Sequence, residues 1–257
     1  MRLIPFHALL AASATAGEPL ISEPPTTPSS GSESDWDFGM ALYAPLMGLE
    51  GNIGLAGLGP ASVDVPFDKI LENFDAGLSG AFEARCGRWS ITADAIWLKL
   101  SASGNPAFAT QFDVKQEQLT ASLSAGYEIY GSESASLDLV AGGVLNYIDV
   151  DLTLQTPMLP VKSRSASSSQ EWVDPFVGLR FNQRFGDRWT LFANGTIGGF
   201  DVSSQEYWQV LAGVGFRITD STSLALAYRA VSVDYHQGGF VYDTVTSGPN
   251  LGLIIRF

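Results

Sequence analysis

Charge is scarce in this sequence. Asp, Glu, Lys and Arg together make up 16% of it while hydrophobic residues make up 46%, against a charged share of about 25% in soluble globular domains. Yet no stretch approaches the ~18 consecutive apolar residues of a membrane-crossing helix, which excludes a helical membrane protein. There is one cysteine, Cys86, so no intrachain disulfide and no paired-cysteine zinc spacing can form, and no metal site is expected. Positive charge is in short supply: 14 Lys and Arg stand against 27 Asp and Glu, a net charge of −13. Such a chain repels phosphate backbones, which argues against nucleic acid as a partner. No G-x-S-x-G elbow, H-E-x-x-H pair or phosphate-cradling glycine loop is present, so neither an enzyme of those classes nor a bound cofactor is expected.

What is abundant is alternation. From Trp36 onward the dominant period is two, the strand signature. Between Leu119 and Ile129 the odd positions are Leu, Ala, Leu, Ala, Tyr and Ile, and the even ones Thr, Ser, Ser, Gly and Glu. That is one oily face and one small polar face, over the ~9–11 residues of a tilted membrane strand. Ten such segments are expected: 36–46, 75–85, 89–100, 114–130, 136–150, 171–185, 188–200, 206–219, 222–236 and 243–257. Tight connections at 86–88, 131–134, 186–187 and 220–221 alternate with longer ones at 101–113, 151–170, 201–205 and 237–242. Short periplasmic turns and longer outer loops are the habit of transmembrane barrels. The expected fold is therefore an all-β, antiparallel up-and-down transmembrane barrel of about ten strands, with both ends periplasmic. Eight or twelve strands are the alternatives, twelve if residues 53–65 form a further hairpin.

Aromatic residues gather at strand ends. Trp89, Tyr127, Phe185, Trp189, Phe216 and Phe257 fall near the periplasmic side, and Trp97, Tyr147, Trp208 and Tyr235 near the outer side. Two interfacial girdles are expected from them. Ahead of the barrel, Arg2, the apolar stretch Leu3–Ala12 and Ala14–Thr15–Ala16 read as a signal peptide over 1–16. Residues 17–35, rich in Pro, Ser and acid, read as a disordered leader.

The last residues carry a resemblance. Terminal Phe257, apolar Ile255 two before it and Gly252 five before it resemble the C-terminal signature of Gram-negative outer-membrane β-barrel proteins. The layout over 36–257 is similar to small OmpA- or Opa-like surface barrels. The resemblance implies residence in the outer membrane, lipid as the surrounding partner and folding by the barrel-assembly machinery.

The polar face of the strands should line the lumen. Following the alternation, the inward charges are Glu83, Asp94, Glu128, Asp138, Arg180, Arg184, Arg217, Arg229 and Arg256. Acids on early strands and arginines on late ones would meet across a narrow barrel as an ion-pair network, since the guanidinium fork takes carboxylates two bonds at a time. The alternative is a wet channel for small solutes whose charges only tune selectivity. Phe67, Ile70, Leu71 and Phe74 fall at i, i+3, i+4 and i+7 behind Pro66, predicting a short amphipathic helix. It would plug the barrel with Asp68 and Glu72 on lumen arginines, lie at the membrane surface, or pack within a long first loop.

For catalysis the candidates are few. Asp234 and His236 sit at one outer strand end, and Asp149 and Asp151 at another; an Asp–His dyad with a second carboxylate pair can activate water. The arrangement looks like the site of omptin-type surface proteases. Here the pairs fall on the third and fifth outer connections, one hairpin away from the omptin placement, and two solvated loop ends are the expectation. The reading is a non-enzymatic barrel with a structural, surface-interaction or barrier role.

Overall fold

The computed structural model describes residues 36–54, 60–104, 111–155 and 163–257. The expected signal peptide and leader lie outside the described residues. β1 (Trp36–Pro45) and β2 (Gly48–Gly54) are followed by β3 (Ala61–Val65), α1 (Phe67–Glu72) and β4 (Phe74–Cys86). Then come β5 (Trp89–Gly104), β6 (Gln111–Gly131), β7 (Ala135–Gln155), β8 (Ser163–Phe185) and β9 (Trp189–Gly198). β10 (Glu206–Arg217), β11 (Thr222–Gln237) and β12 (Phe240–Arg256) complete the chain. Among the described residues every strand pairing is antiparallel, and β12 closes on β1 through Gly39–Arg256 to Pro45–Asn250.

The barrel has ten strand positions although twelve strand segments are present. β12 pairs with β1 along its second half and with β2 along its first, Val241–Gly54 to Ser247–Gly48. β1 and β2 are thus two halves of one barrel strand, broken at Leu46–Met47. Gly248 lies opposite the break, and a Cβ there would run into the Leu46 carbonyl oxygen; only glycine lets the two backbones come this close. β3 and β4 are likewise one position, interrupted by α1. The hairpin at 53–65 exists but adds no strands to the circumference.

The longer connections expected at 101–113 and 151–170 are largely strand instead. β5 runs to Gly104, β6 starts at Gln111, β7 runs to Gln155 and β8 starts at Ser163. At 21 to 23 residues, β6, β7 and β8 are about twice the ~9–11 that cross a bilayer. The excess stands beyond the apolar belt, where the outward face is free to be polar; the outward oily stripe that marks a strand in the sequence fades there. At the same end, β11 and β12 meet in a tight turn at Gly238–Gly239.

Outward faces define the belt. On β6, Leu119, Ala121, Leu123, Ala125 and Tyr127 point out, while Gln118, Thr120, Ser122 and Ser124 are buried inside. Trp89 packs on Tyr127, ring centroids 4.8 Å apart, and Trp189 on Phe216 at 4.9 Å, at the end that carries the turns at 87–88, 132–134, 186–188 and 218–221. At the other end Trp97 and Tyr147 flank Leu119 across the ladders, and the next outward row is charged, Lys99–Glu117–Asp149. Tyr235 does not belong to that girdle. It occupies an odd position on β11, points inward and is buried.

Candidate functional site: a lumen filled at two levels

Alternation on β4, β5, β7 and β8 puts Glu83, Arg85, Asp94, Asp138 and Arg180 inside the barrel, all buried. Asp138 and Arg180 are direct cross-strand neighbours, and the Arg180 Nη2 donates to Asp138 Oδ2 at 2.9 Å. From there the guanidinium spans the lumen: Nη1 reaches Glu83 Oε2 at 2.8 Å and Nη2 reaches Ser90 Oγ at 2.8 Å. Arg85 crosses the other way, its Nη2 2.6 Å from Asp138 Oδ2, with Glu83 and Glu128 each at 3.9 Å. Two arginines and three carboxylates thus form one buried layer. Gly126 makes room for it, since a Cβ there would stand 3.0 Å from the Arg180 Nη2.

Asp94 and Arg229 form a separate group. Tyr43 donates its hydroxyl to Asp94 Oδ2 at 2.7 Å, and the Arg229 guanidinium lies over the Tyr43 ring, 5.3 Å from its centroid. Arg184, Arg217 and Arg256 stand at the turn end of the barrel, where Arg184 donates to the Glu133 carbonyl oxygen in the adjoining turn. Arg85, not among the inward charges expected from the sequence, is a full member because the alternation of β4 continues to its last residues.

The second level is apolar, which the sequence reading did not anticipate. Beyond the ionic layer, toward the ends of the long strands, inward positions become oily: Leu49 on β2, Val63 on β3, Val144 and Ile148 on β7, Val231 and Val233 on β11. Their centre is a ring stack. Trp172 lies flat on Tyr235, centroids 4.2 Å apart at 10°, and meets Tyr242 at 5.8 Å. One carboxylate sits among them fully satisfied. Asp174 accepts from Ser204 N at 2.8 Å, Ser204 Oγ at 2.6 Å and Trp172 Nε1 at 3.1 Å, which fastens the 199–205 loop over this level.

The helix does not plug the lumen. None of the residues of α1 is buried, Leu71 and Phe74 are exposed, and only Ile70 packs against the apolar level. Glu72 pairs with Lys69 at 2.8 Å, and this bond holds the Lys69 ammonium above the usual lysine range. The short spacing from Pro66 to Asn73 leaves α1 in the wall, between β3 and β4.

The four catalytic candidates are all on outward faces. His236 Nε2 lies 3.3 Å from Asp234 Oδ1, but both occupy even positions of β11, whose odd positions point inside. Asp149 and Asp151 occupy odd positions of β7, whose even positions point inside. The two pairs face away from the barrel on strands four positions apart in the wall, so no shared water could sit between them. Among the described residues no cluster of His, Cys, Asp and Glu is arranged to hold a metal ion.

No family model matches this sequence, and no curated protein sequence matches it. Similarity appears in the fold. The outer membrane protease OmpT from Escherichia coli superposes with a TM-score of 0.59 at 13% identity, over 89% of this chain and all of that one. Ail of Yersinia pestis and Neisserial surface protein A are matched over 87% of this chain at 12% and 15% identity, with TM-scores of 0.35 and 0.31. The ten-strand closed antiparallel barrel of this chain is thus a fold it shares with an outer-membrane protein, at an identity that speaks for architecture alone.

Proposed function

We propose that the chain is a non-enzymatic outer-membrane barrel with a sealed lumen, serving a structural, barrier or surface-contact role. The observation that carries this reading is the filling of the lumen at two successive levels by unlike chemistry. An ion passing through would have to break the Arg180–Glu83–Arg85–Asp138 layer and then part the Trp172–Tyr235 stack. A ten-strand barrel is little wider than the eight-strand kind that side chains fill. Support for membrane residence comes from the outward belt, bounded by Trp89 and Trp189 at one end and by Trp97 and Tyr147 at the other. Trp36, Phe257 and the turns at 87–88, 132–134, 186–188 and 218–221 share one end, which we assign to the periplasm; exposed Phe257 with Ile255 and Gly252 would there serve as the assembly signal.

Planar-bilayer recording of the refolded protein tests the seal: no steady conductance steps are expected, and steady ohmic channels would overturn the reading. The outward placement of Asp234, His236, Asp149 and Asp151 supports the absence of a peptidase. Should peptidase activity be detected and be abolished by His236→Ala, the non-enzymatic assignment fails.

A further inference from the structure

The wall of the barrel carries a gap. β1 and β4 are joined by ladder pairs from Trp36–Cys86 to Leu42–Gly80, and among the described residues no ladder joins them beyond. β1 stays on β12 as far as Pro45, while β4 bulges between Phe74 and Ala76, so the two strands part. The last tie across the gap is a side chain, Ser79 Oγ donating to the Tyr43 carbonyl oxygen. α1 then bridges above.

A cavity of about 570 Å³ occupies this gap. Outward residues Leu42, Leu78, Leu251 and Leu253 form its rim, and Phe67 and Leu71 of α1 its roof. The back is different: Tyr43, Ser79 and Ile96 belong to the inward face. The cavity therefore enters the thickness of the wall and ends on Tyr43, which Asp94 and Arg229 hold from behind. Apolar voids stay dry, and at the depth of the belt the surrounding medium is hydrocarbon.

We propose that this cavity binds one acyl chain of a bilayer phospholipid whose headgroup carries no net charge. The headgroup preference follows from the charge on and beside α1, which roofs the cavity and packs against β2. Glu50 and Asp64 oppose each other across β2 and β3, Asp68 and Glu72 lie on α1, and Lys69 is already engaged by Glu72. An anionic headgroup would meet uncompensated negative charge there. The proposal rests on the outer-membrane reading above, and its test separates the two.

Native mass spectrometry of the refolded, detergent-released barrel, titrated with dipalmitoyl phosphatidylcholine or dipalmitoyl phosphatidylglycerol, reads the occupancy. One phosphatidylcholine per barrel is expected, saturably, with phosphatidylglycerol about threefold weaker, a discrimination of about 0.65 kcal/mol. Ala44→Phe and Leu251→Trp enlarge outward residues that line the cavity and should each weaken binding about tenfold or more. Leu123→Phe, outward on β6 and away from the cavity, should leave binding unchanged. Lipid adducts that do not saturate, or that respond alike to Leu123→Phe and Ala44→Phe, overturn the site; phosphatidylglycerol bound as tightly as phosphatidylcholine overturns the headgroup assignment. Heat-modifiable gel migration of each variant reports folding, and either cavity variant suffices. A wild type lacking heat-modifiability counts against the membrane-barrel reading itself, whereas a heat-modifiable wild type that retains no lipid counts against the cavity alone.

Discussion

Replacing Arg180 by Met should be among the most damaging single changes in this protein. The guanidinium is almost fully buried (1% exposed) and reaches Glu83 at 2.8 Å and Asp138 at 2.9 Å. Methionine fills much of the volume but leaves the carboxylates. Removing one partner of a buried ion pair costs about 3–5 kcal/mol, because the charge left behind has lost both water and counterion. The two acids are not equally stranded. Asp138 keeps Arg85 at 2.6 Å, whereas Glu83 keeps it only at 3.9 Å. Glu83→Gln should therefore recover about 1–3 kcal/mol of the Arg180→Met loss, the cost of an unsatisfied buried polar group. In the wild type the same change should destabilise, since it deprives Arg180 of a partner. Urea unfolding in detergent micelles, followed by tryptophan fluorescence, measures all four corners of the cycle through the midpoint at unchanged slope. A loss below about 1 kcal/mol for Arg180→Met, the range of an exposed pair, would refute the buried layer. So would a double variant weaker than Arg180→Met alone.

Other perturbations test other parts of the argument. Gly126→Val would drive side-chain atoms into Ser90 Oγ and Arg180 Nη2; a loss of about 1–3 kcal/mol is expected in the same urea assay, as for overpacking. Trp172→Ala removes the ring that stacks on Tyr235 and should cost about 3–5 kcal/mol, while planar-bilayer recordings stay silent because the ionic layer remains. Leu123→Arg, mid-belt, should destabilise the barrel in lipid vesicles by about 2–4 kcal/mol, while Asp149→Arg, in the charged row beyond the belt, should cost about 0–1 kcal/mol. Equal costs at the two positions would mean that the belt is misplaced.

The circumference of the barrel was legible in the sequence because a strand in lipid writes its two faces as a strict alternation. Leu119 to Ile129 is such a case. The ionic layer was legible for the same reason: Glu83, Asp138 and Arg180 are charged residues at positions whose neighbours on either side face hydrocarbon. Which acid meets which arginine was not legible, since the shear of the sheet decides that. Arg85 was left off the inward charges, although its odd number in β4 already placed it inside. The α1 interruption was seen as a helix, but a local apolar spacing carries no information about whether the helix enters the lumen or stays in the wall. The upper reaches of β5 to β8 were read as loops because the criterion sought oily residues on the outward face alone.

That criterion overlooked a reversal the strands share. Along β7 the inward residues run from Ser136 and Asp138 to Val144, Ile148 and Val150, while the outward ones run from Leu137 and Leu139 to Asp149 and Asp151. Along β11 the inward series passes from Ser223 through Arg229 to Val231, Val233 and Tyr235, and the outward series from Leu224 and Leu226 to Ser232, Asp234 and His236. The period stays at two while the faces exchange chemistry. The cause is a change of medium. Where lipid surrounds the sheet, oily residues gain nothing by turning inward and polar ones must; where water surrounds it, the hydrophobic effect acts in its usual direction and builds a core inside the barrel. The ionic layer and the Trp172–Tyr235 stack are thus two answers of one architecture to two solvents. On the outer-membrane reading proposed above, the level at which the faces exchange, beside Tyr147 on β7, marks the membrane boundary.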